Sequence, residues 1–199
     1  MSLAKYKKKR NFSDTPEPEG KKAAPGKALE FVIQRHKASR LHYDFRLEME
    51  GVLKSWAVPK GPSMNPVDKR LAMMVEDHPF DYRTFAGIIP EGNYGAGIVE
   101  IWDHGVYMPI NENHQPENEA AILKDLKNGS IKFVMLGKKL KGEFALVKIK
   151  SSDENSWLLI KHDDEFAVHK KYSSEKFNPA SSPITKALKK DALAKKEKK

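Results

Sequence analysis

Cysteine is absent from all 199 residues, which removes disulfides, thiolate metal sites and a cysteine nucleophile together, and leaves His, Asp and Glu as metal ligands. No apolar run is long enough to span a bilayer and no secretory leader opens the chain, so a soluble, cytoplasmic protein with no membrane partner is expected. A basic field over the body of the chain is also missing. The formal net charge is +9, yet residues 31–164 hold eighteen Lys/Arg against nineteen Asp/Glu. The excess lies at the ends, with eight basic residues against four acids in 1–30 and ten against four in 165–199. Such ends add salt-sensitive attraction to a polyanion, or simply keep a chain in solution. An anion bound by the central part must meet a local cluster.

A chain of this length can bury one substantial core. Residues 1–27, rich in Lys, Pro and Gly, read as an extended basic arm, 28–164 as the folded domain and 165–199 as a flexible Lys-rich tail. Strand-like runs cover 30–35, 41–48, 52–58, 71–75, 97–102, 131–136, 143–150 and 156–161. Short strands in this number predict a mainly β fold, a closed or nearly closed barrel or a sandwich, as one compact domain with one or two short helices. One helix is placed between Pro116, at its first position, and the stop Asn128-Gly129, with Ala121, Ile122 and Leu126 on its apolar stripe. A weaker helical pattern runs over 184–194.

The densest chemistry lies in His36-Lys-Ala-Ser-Arg40-Leu-His42-Tyr-Asp44-Phe-Arg46-Leu47-Glu48. Strict alternation from Leu41 puts His42, Asp44, Arg46 and Glu48 on one face of a strand, and Leu41, Tyr43, Phe45 and Leu47 on the other. A strand with one solvated face alternates in the same way. His36 adds a second imidazole and completes a two-His, one-carboxylate set with open coordination positions. Arg46 beside it could neutralise an anion, the pairing that phosphate-ester chemistry requires.

A second cluster repeats the inventory. Alternation over 70–78 places Arg70, Glu76 and His78 on one side with Ala72 and Met74, while Asp77 falls opposite; two such strands could converge on one pocket. Lys60 and Tyr82 are further candidates for holding phosphate oxygens, and either could equally lie on the surface. The stretch Gly92-Asn-Tyr-Gly95-Ala-Gly97 fits neither nucleotide-loop fingerprint and reads as a tight turn. His104, His114, His162 and His169 have no metal-ligand spacing with one another and read as surface residues.

Several ordered segments closely resemble the 3′-phosphoesterase domain of bacterial DNA ligase D, the end-joining ligase. They are His36 to Glu48, Leu53-Lys-Ser-Trp-Ala-Val-Pro-Lys60-Gly-Pro, Val75-Glu76-Asp-His78-Pro-Phe-Asp-Tyr82 and Ile89-Pro-Glu-Gly-Asn-Tyr-Gly-Ala-Gly97. Leu140 to Val147 and Trp157 to Lys161 look like its closing strands. The likeness covers about four-fifths of the chain and, at this length, implies a free-standing member. It implies a β-barrel and a manganese-dependent hydrolase, other divalent metals being possible. Such an enzyme removes a 3′-phosphate, and in many members a terminal ribonucleoside, from DNA or primer-template 3′ ends. A separate ligase and polymerase of an end-joining system are the partners it implies. His36, His42 and Asp44 match the metal ligands. Arg46, Lys60, Arg70, Glu76, His78 and Tyr82 match positions that act on the phosphate or support the site. In the amino-terminal arm, Arg10 and Glu17 match residues that support nucleoside removal. Asn11 stands where the family has an acid, so phosphate removal is implied more directly than nucleoside removal.

With no side-chain nucleophile apparent, water is the expected attacker. His78 would either protonate the departing 3′ oxygen or hold the phosphate as an imidazolium. Two other classes fit part of the pattern: a non-haem Fe(II) oxygenase using the His-x-Asp ligands, which leaves the Arg/Lys cluster idle, and a DNA-end binding module without catalysis.

Overall fold

The computed structural model describes residues 3–20, 28–150 and 153–196. In chain order the elements are α1 (Ala4–Lys8), β1 (Leu29–Lys37), β2 (Leu41–Met49), β3 (Val52–Val58), β4 (Lys69–Met74), β5 (His78–Pro79), a 3₁₀ turn (Phe80–Thr84), β6 (Gly87–Ile89), β7 (Gly97–Pro109), α2 (Glu119–Asn128), β8 (Ser130–Gly137), β9 (Lys141–Lys148), β10 (Ser156–Lys161), a second 3₁₀ turn (Ser174–Phe177) and α3 (Pro183–Lys196). Strands pair in the order β1-β2-β3-β4-β10-β9-β8-β7, and β7 returns to β1. Every one of these pairings is antiparallel. This eight-strand ring is a closed barrel, so each of its eight strands has a partner on both sides. β6 adds to β7, and β5 to β3, outside the ring.

Alternation decides what each strand buries. The apolar face of β2, Tyr43, Phe45 and Leu47, joins Phe31, Ile33, Trp56, Phe133, Phe144, Leu146 and Trp157 inside the barrel. The helix α2 drops Ile122 onto this core, with Leu123 and Leu126 beside it. It begins later than the sequence implied. Asn118 is the cap, its side chain accepting from the Ala121 N–H, while Pro116 bridges to Ile110. Its end is as expected, because Gly129 sits at φ 86°, a left-handed position that glycine adopts without steric cost.

A second, smaller core lies outside the barrel wall. Val32, Leu53 and Val99 point outward from their strands and meet Tyr6, Tyr82, Phe85 and Ile89. The amino-terminal arm is therefore not simply extended: α1 forms, Tyr6 is fully buried, and its hydroxyl donates to the Pro18 carbonyl at 2.7 Å. The Lys-rich composition hid this because Tyr6 and Phe12 are the only aromatic residues in it. Residues 21–27 of the expected arm lie outside the described residues. The carboxy-terminal segment also packs. Buried Arg35 makes a two-pronged bond to Glu175 (2.9 and 2.5 Å) and reaches Ser182 and Thr185, while the Tyr43 hydroxyl donates to Glu175 at 2.5 Å. Among the described residues no helix is long and apolar enough to cross a membrane.

Candidate active site

The register of β1 against β2 sets His36 directly opposite His42 and Gln34 opposite Asp44. Paired residues share a face, so both imidazoles and the carboxylate emerge together on the outer wall of the barrel. His36 Nδ1 lies 3.4 Å from Asp44 Oδ2, and His42 Nε2 lies 3.6 Å from Asp44 Oδ1. The ligand atoms of these three side chains are all within 4.8 Å of one another.

The outer ring nitrogens are held by backbone carbonyls: His36 Nε2 by Gly95 at 2.9 Å and His42 Nδ1 by Arg40 at 3.0 Å. A carbonyl only accepts, so each of those nitrogens carries the ring proton and the opposite nitrogen presents a lone pair. The lone pairs of both rings thus face a carboxylate, which is itself only an acceptor when ionised. Three acceptors turned on one another are what a cation resolves, and carbonyls fixing the far nitrogen are the usual support of histidine ligands. The cluster can hold a divalent metal, with nitrogen and oxygen donors suited to first-row ions.

Arg46, next outward-facing residue along β2, brings Nη2 to 3.2 Å from Asp44 Oδ2. Burial opposes ionisation of Asp44, but the charge of the Arg46 guanidinium outweighs it and holds the carboxyl well below the usual range. Arg46 is fixed from behind. Its Nε donates to Gln34 Oε1 at 2.7 Å and its Nη1 to Ser55 Oγ at 2.8 Å. Gln34 in turn donates to the carbonyls of Tyr82 and Phe85, so its oxygen can only face the arginine.

His78 arrives by a device that simple alternation does not reveal. Trp56 of β3 pairs with Met74 of β4, but Leu53 pairs with His78 of β5, so three steps on β3 are matched by four on the other side. The extra residue is a β-bulge, and one inserted residue reverses every later side chain. Asp77, within it, is tied to buried Lys54 at 2.6 Å. Before the bulge, Arg70, Ala72 and Met74 share the inner face; Arg70 and Ala72 pair with Leu159 and Trp157, both in the barrel core. After it, His78 points outward beside His36, His42 and Asp44. The shared face expected for Arg70 and His78 is therefore corrected: the bulge separates them.

A cavity of about 300 Å³ is lined by His36, His42, Asp44, Arg46, Glu76, His78, Tyr82, Arg10, Tyr94 and Gly95. Lys60 and Arg70 do not line it. They border a different cavity with Asp68, to which Arg70 Nη2 donates at 2.7 Å, and Lys60 is exposed at the end of β3. The arm closes one side. Arg10 Nε donates to Glu17 at 2.8 Å, Nη1 approaches Glu76 at 3.4 Å, and Nη2 meets His78 Nε2 at 3.2 Å. Glu17 also accepts from the Tyr82 hydroxyl at 2.8 Å and from Thr15 at 3.0 Å. Lys9 bonds Glu76 at 2.9 Å and the Tyr94 hydroxyl at 3.1 Å. Asn11 is exposed, its side chain engaged by Asp14 and Ser13. Sequence reading passed over Gln34, Lys54, Ser55, Tyr6 and Tyr94, since uncharged or singly placed residues carry no spacing signal.

His78 Nδ1 lies 2.9 Å from the Glu76 carbonyl, so it holds the proton and Nε2 accepts from Arg10. Burial first, then the charges of Arg46 and Arg10, push its pKa well below the ordinary value of 6.5. The ring is neutral in the folded protein, while the unfolded chain takes up a proton below about pH 6.5, so stability is full above that pH and declines as acid is added. Thermal midpoints measured from pH 7 down to pH 5 should fall, and His78→Gln should flatten that fall; an unchanged slope would contradict a neutral buried His78.

The profile of the DNA Ligase D 3'-phosphoesterase domain matches residues 34–148. The multifunctional non-homologous end joining protein LigD of Pseudomonas aeruginosa is 46% identical over 165 residues, 81% of this chain and 19% of that protein. The LigD of Mycobacterium tuberculosis is 42% identical over 157 residues (78% and 19%), and that of Mycolicibacterium smegmatis 42% over 164 (82% and 21%). The chain spans about a fifth of the length of these relatives. A profile covering more than half of the sequence, and relatives well above two-fifths identity or near it over four-fifths of the sequence, agree with one another: this chain belongs to the DNA ligase D 3′-phosphoesterase domain family.

Proposed function

We propose that this protein is a metal-dependent phosphoesterase that processes DNA 3′ ends, removing a 3′-phosphate to leave a hydroxyl for repair synthesis or ligation. The observation that carries the proposal is the acceptor cluster of His36, His42 and Asp44 with the Arg46 guanidinium at its side in one cavity. The guanidinium and the family assignment both favour this chemistry over an oxygenase. Manganese is the metal we propose, held by His36 Nδ1, His42 Nε2 and Asp44. When bound, a divalent cation there supplies polarisation of a phosphoryl oxygen.

The chain's own residues do the rest. Arg46, locked by Gln34 and Ser55, offers its guanidinium to charge that builds on the phosphate in the transition state, with no reorganisation at that moment. Arg10 contributes a second positive group from the arm. His78, neutral and accepting at Nε2, is not a ready-made imidazolium clamp. A phosphate dianion entering beside it would offset the two guanidinium charges, so His78 gains a proton as substrate binds and can then return it to the departing 3′ oxygen. Tyr82 and Glu17 act through Arg10, orienting it. Lys60 and Arg70, away from this cavity, would meet a neighbouring part of the nucleic acid rather than the scissile phosphate.

The partners proposed are DNA or primer-template 3′ ends, including those with a terminal ribonucleotide, and a ligase and polymerase acting on the product. A labelled primer-template ending in a 3′-phosphate or a single ribonucleotide, incubated with manganese, magnesium or zinc, tests this directly. Release of phosphate to leave a 3′-hydroxyl, abolished by chelator and strongest in manganese, is expected. Binding without turnover in any metal would leave only an end-binding module. Asn11→Asp should alter neither step, since residue 11 faces Asp14 and Ser13; a gain in nucleoside removal would show that the arm rearranges on substrate.

A further inference from the structure

Three side chains far apart in sequence meet on the opposite side of the barrel. Glu143 stands on the outer face of β9, four places round the ring from β2. His162 follows β10 and is tied to β9 by its N–H to the Glu143 carbonyl at 2.9 Å. His114 comes from the 111–115 turn that the Ile110–Pro116 bridge closes. His114 Nδ1 lies 2.6 Å and His162 Nδ1 3.2 Å from the same oxygen, Glu143 Oε2. The ligand atoms of all three lie within 4.8 Å.

We propose that His114, Glu143 and His162 form a second metal site, for zinc or a similar late first-row ion, with a structural role. Two imidazole nitrogens and a carboxylate oxygen are zinc donors, and ligand atoms at bond lengths of about 2.0–2.1 Å in a tetrahedron stand a little over 3 Å apart. The two nitrogen–oxygen separations, 2.6 and 3.2 Å, need only sub-ångström adjustment, with the cation replacing the protons that the two rings now aim at one oxygen. The nearby lysines carry their own partners, Lys132 with Glu112 and Lys161 with Asp164. No guanidinium stands among these donors as Arg46 does beside Asp44, so nothing here prepares an anion site. Three protein donors leave one position of a zinc tetrahedron to water; the structural role is read from what the donors join, a surface turn and two neighbouring strands. The turn itself is prepared: Asn111 Oδ1 accepts from the N–H groups of Asn113 and Gln115, and His114 takes a left-handed φ of 60°. Metal would then pin this turn to β9 and β10.

The test uses the full chain, stripped of metal, with zinc alone as the probe and the first cluster disabled by His36→Ala with Asp44→Asn. One zinc per chain is still expected, with a raised thermal midpoint and displaced ring-nitrogen resonances of His114 and His162. Adding His162→Gln, or the milder His114→Gln should the first disturb folding, should weaken that binding by at least about tenfold. No zinc bound without the first cluster, or zinc bound equally well without His114 and His162, would overturn the site. Neither result depends on phosphoesterase activity.

Discussion

Asp44→Asn is expected to lower phosphate release by more than about 10³-fold, because under the proposed function it removes a charged ligand and with it the electrostatic centre of the reaction. The substitution preserves size but leaves the buried Arg46 guanidinium without its carboxylate, so some stability is lost as well, and a thermal midpoint on the same sample separates that loss from the loss of turnover. Its chemistry is decisive in a second way. An amide can turn its NH₂ toward the free nitrogen of His36, now 3.4 Å from the carboxylate, and so satisfy by a hydrogen bond what a bound cation would satisfy in the native site. Manganese titration and product analysis on the same sample check both parts. Turnover within tenfold of the native protein would remove Asp44 from the ligand set.

Arg46→Met separates charge stabilisation from metal holding. Taking a positive charge away from a carboxylate 3.2 Å distant should leave manganese affinity intact or tighten it, whereas kcat should fall about 10²- to 10³-fold. The metal-free variant should also lose roughly 3–5 kcal/mol of stability, the cost typical of leaving one partner of a buried ion pair alone, and metal should restore part of this. Parallel loss of metal binding and turnover would make Arg46 a support for the ligands rather than a group that meets phosphate.

The barrel and half of the site were legible because period-two alternation is a local signal. Leu41 to Leu47 divided cleanly, and the same pattern that buries Phe45 turns His42, Asp44 and Arg46 outward. β7 was longer than expected, thirteen residues instead of six, since polar Asp103 and His104 interrupt its apolar pattern; Asp103 is buried and accepts the N–H groups of Lys138, Lys139 and Leu140. The bulge before His78 left no mark on the sequence, which is why Arg70 was grouped with it. The packing of the arm was hidden for a different reason. Tyr6 and Arg10 find their partners in Tyr82, Glu76 and His78, more than sixty residues away, and such pairings have no periodicity to read. The His114, Glu143 and His162 grouping likewise exists only once β9 and β10 lie side by side.

The location of the proposed chemistry on the convex wall rather than in the lumen divides each of β1 and β2 between two employments, residue by residue. Filling and reactivity are therefore separable traits in this fold. Changes among Phe31, Ile33, Phe45 and Leu47 could tune heat resistance while Gln34, His36, Asp44 and Arg46 stay untouched, and an evolving lineage could adapt to temperature and to substrate along independent tracks.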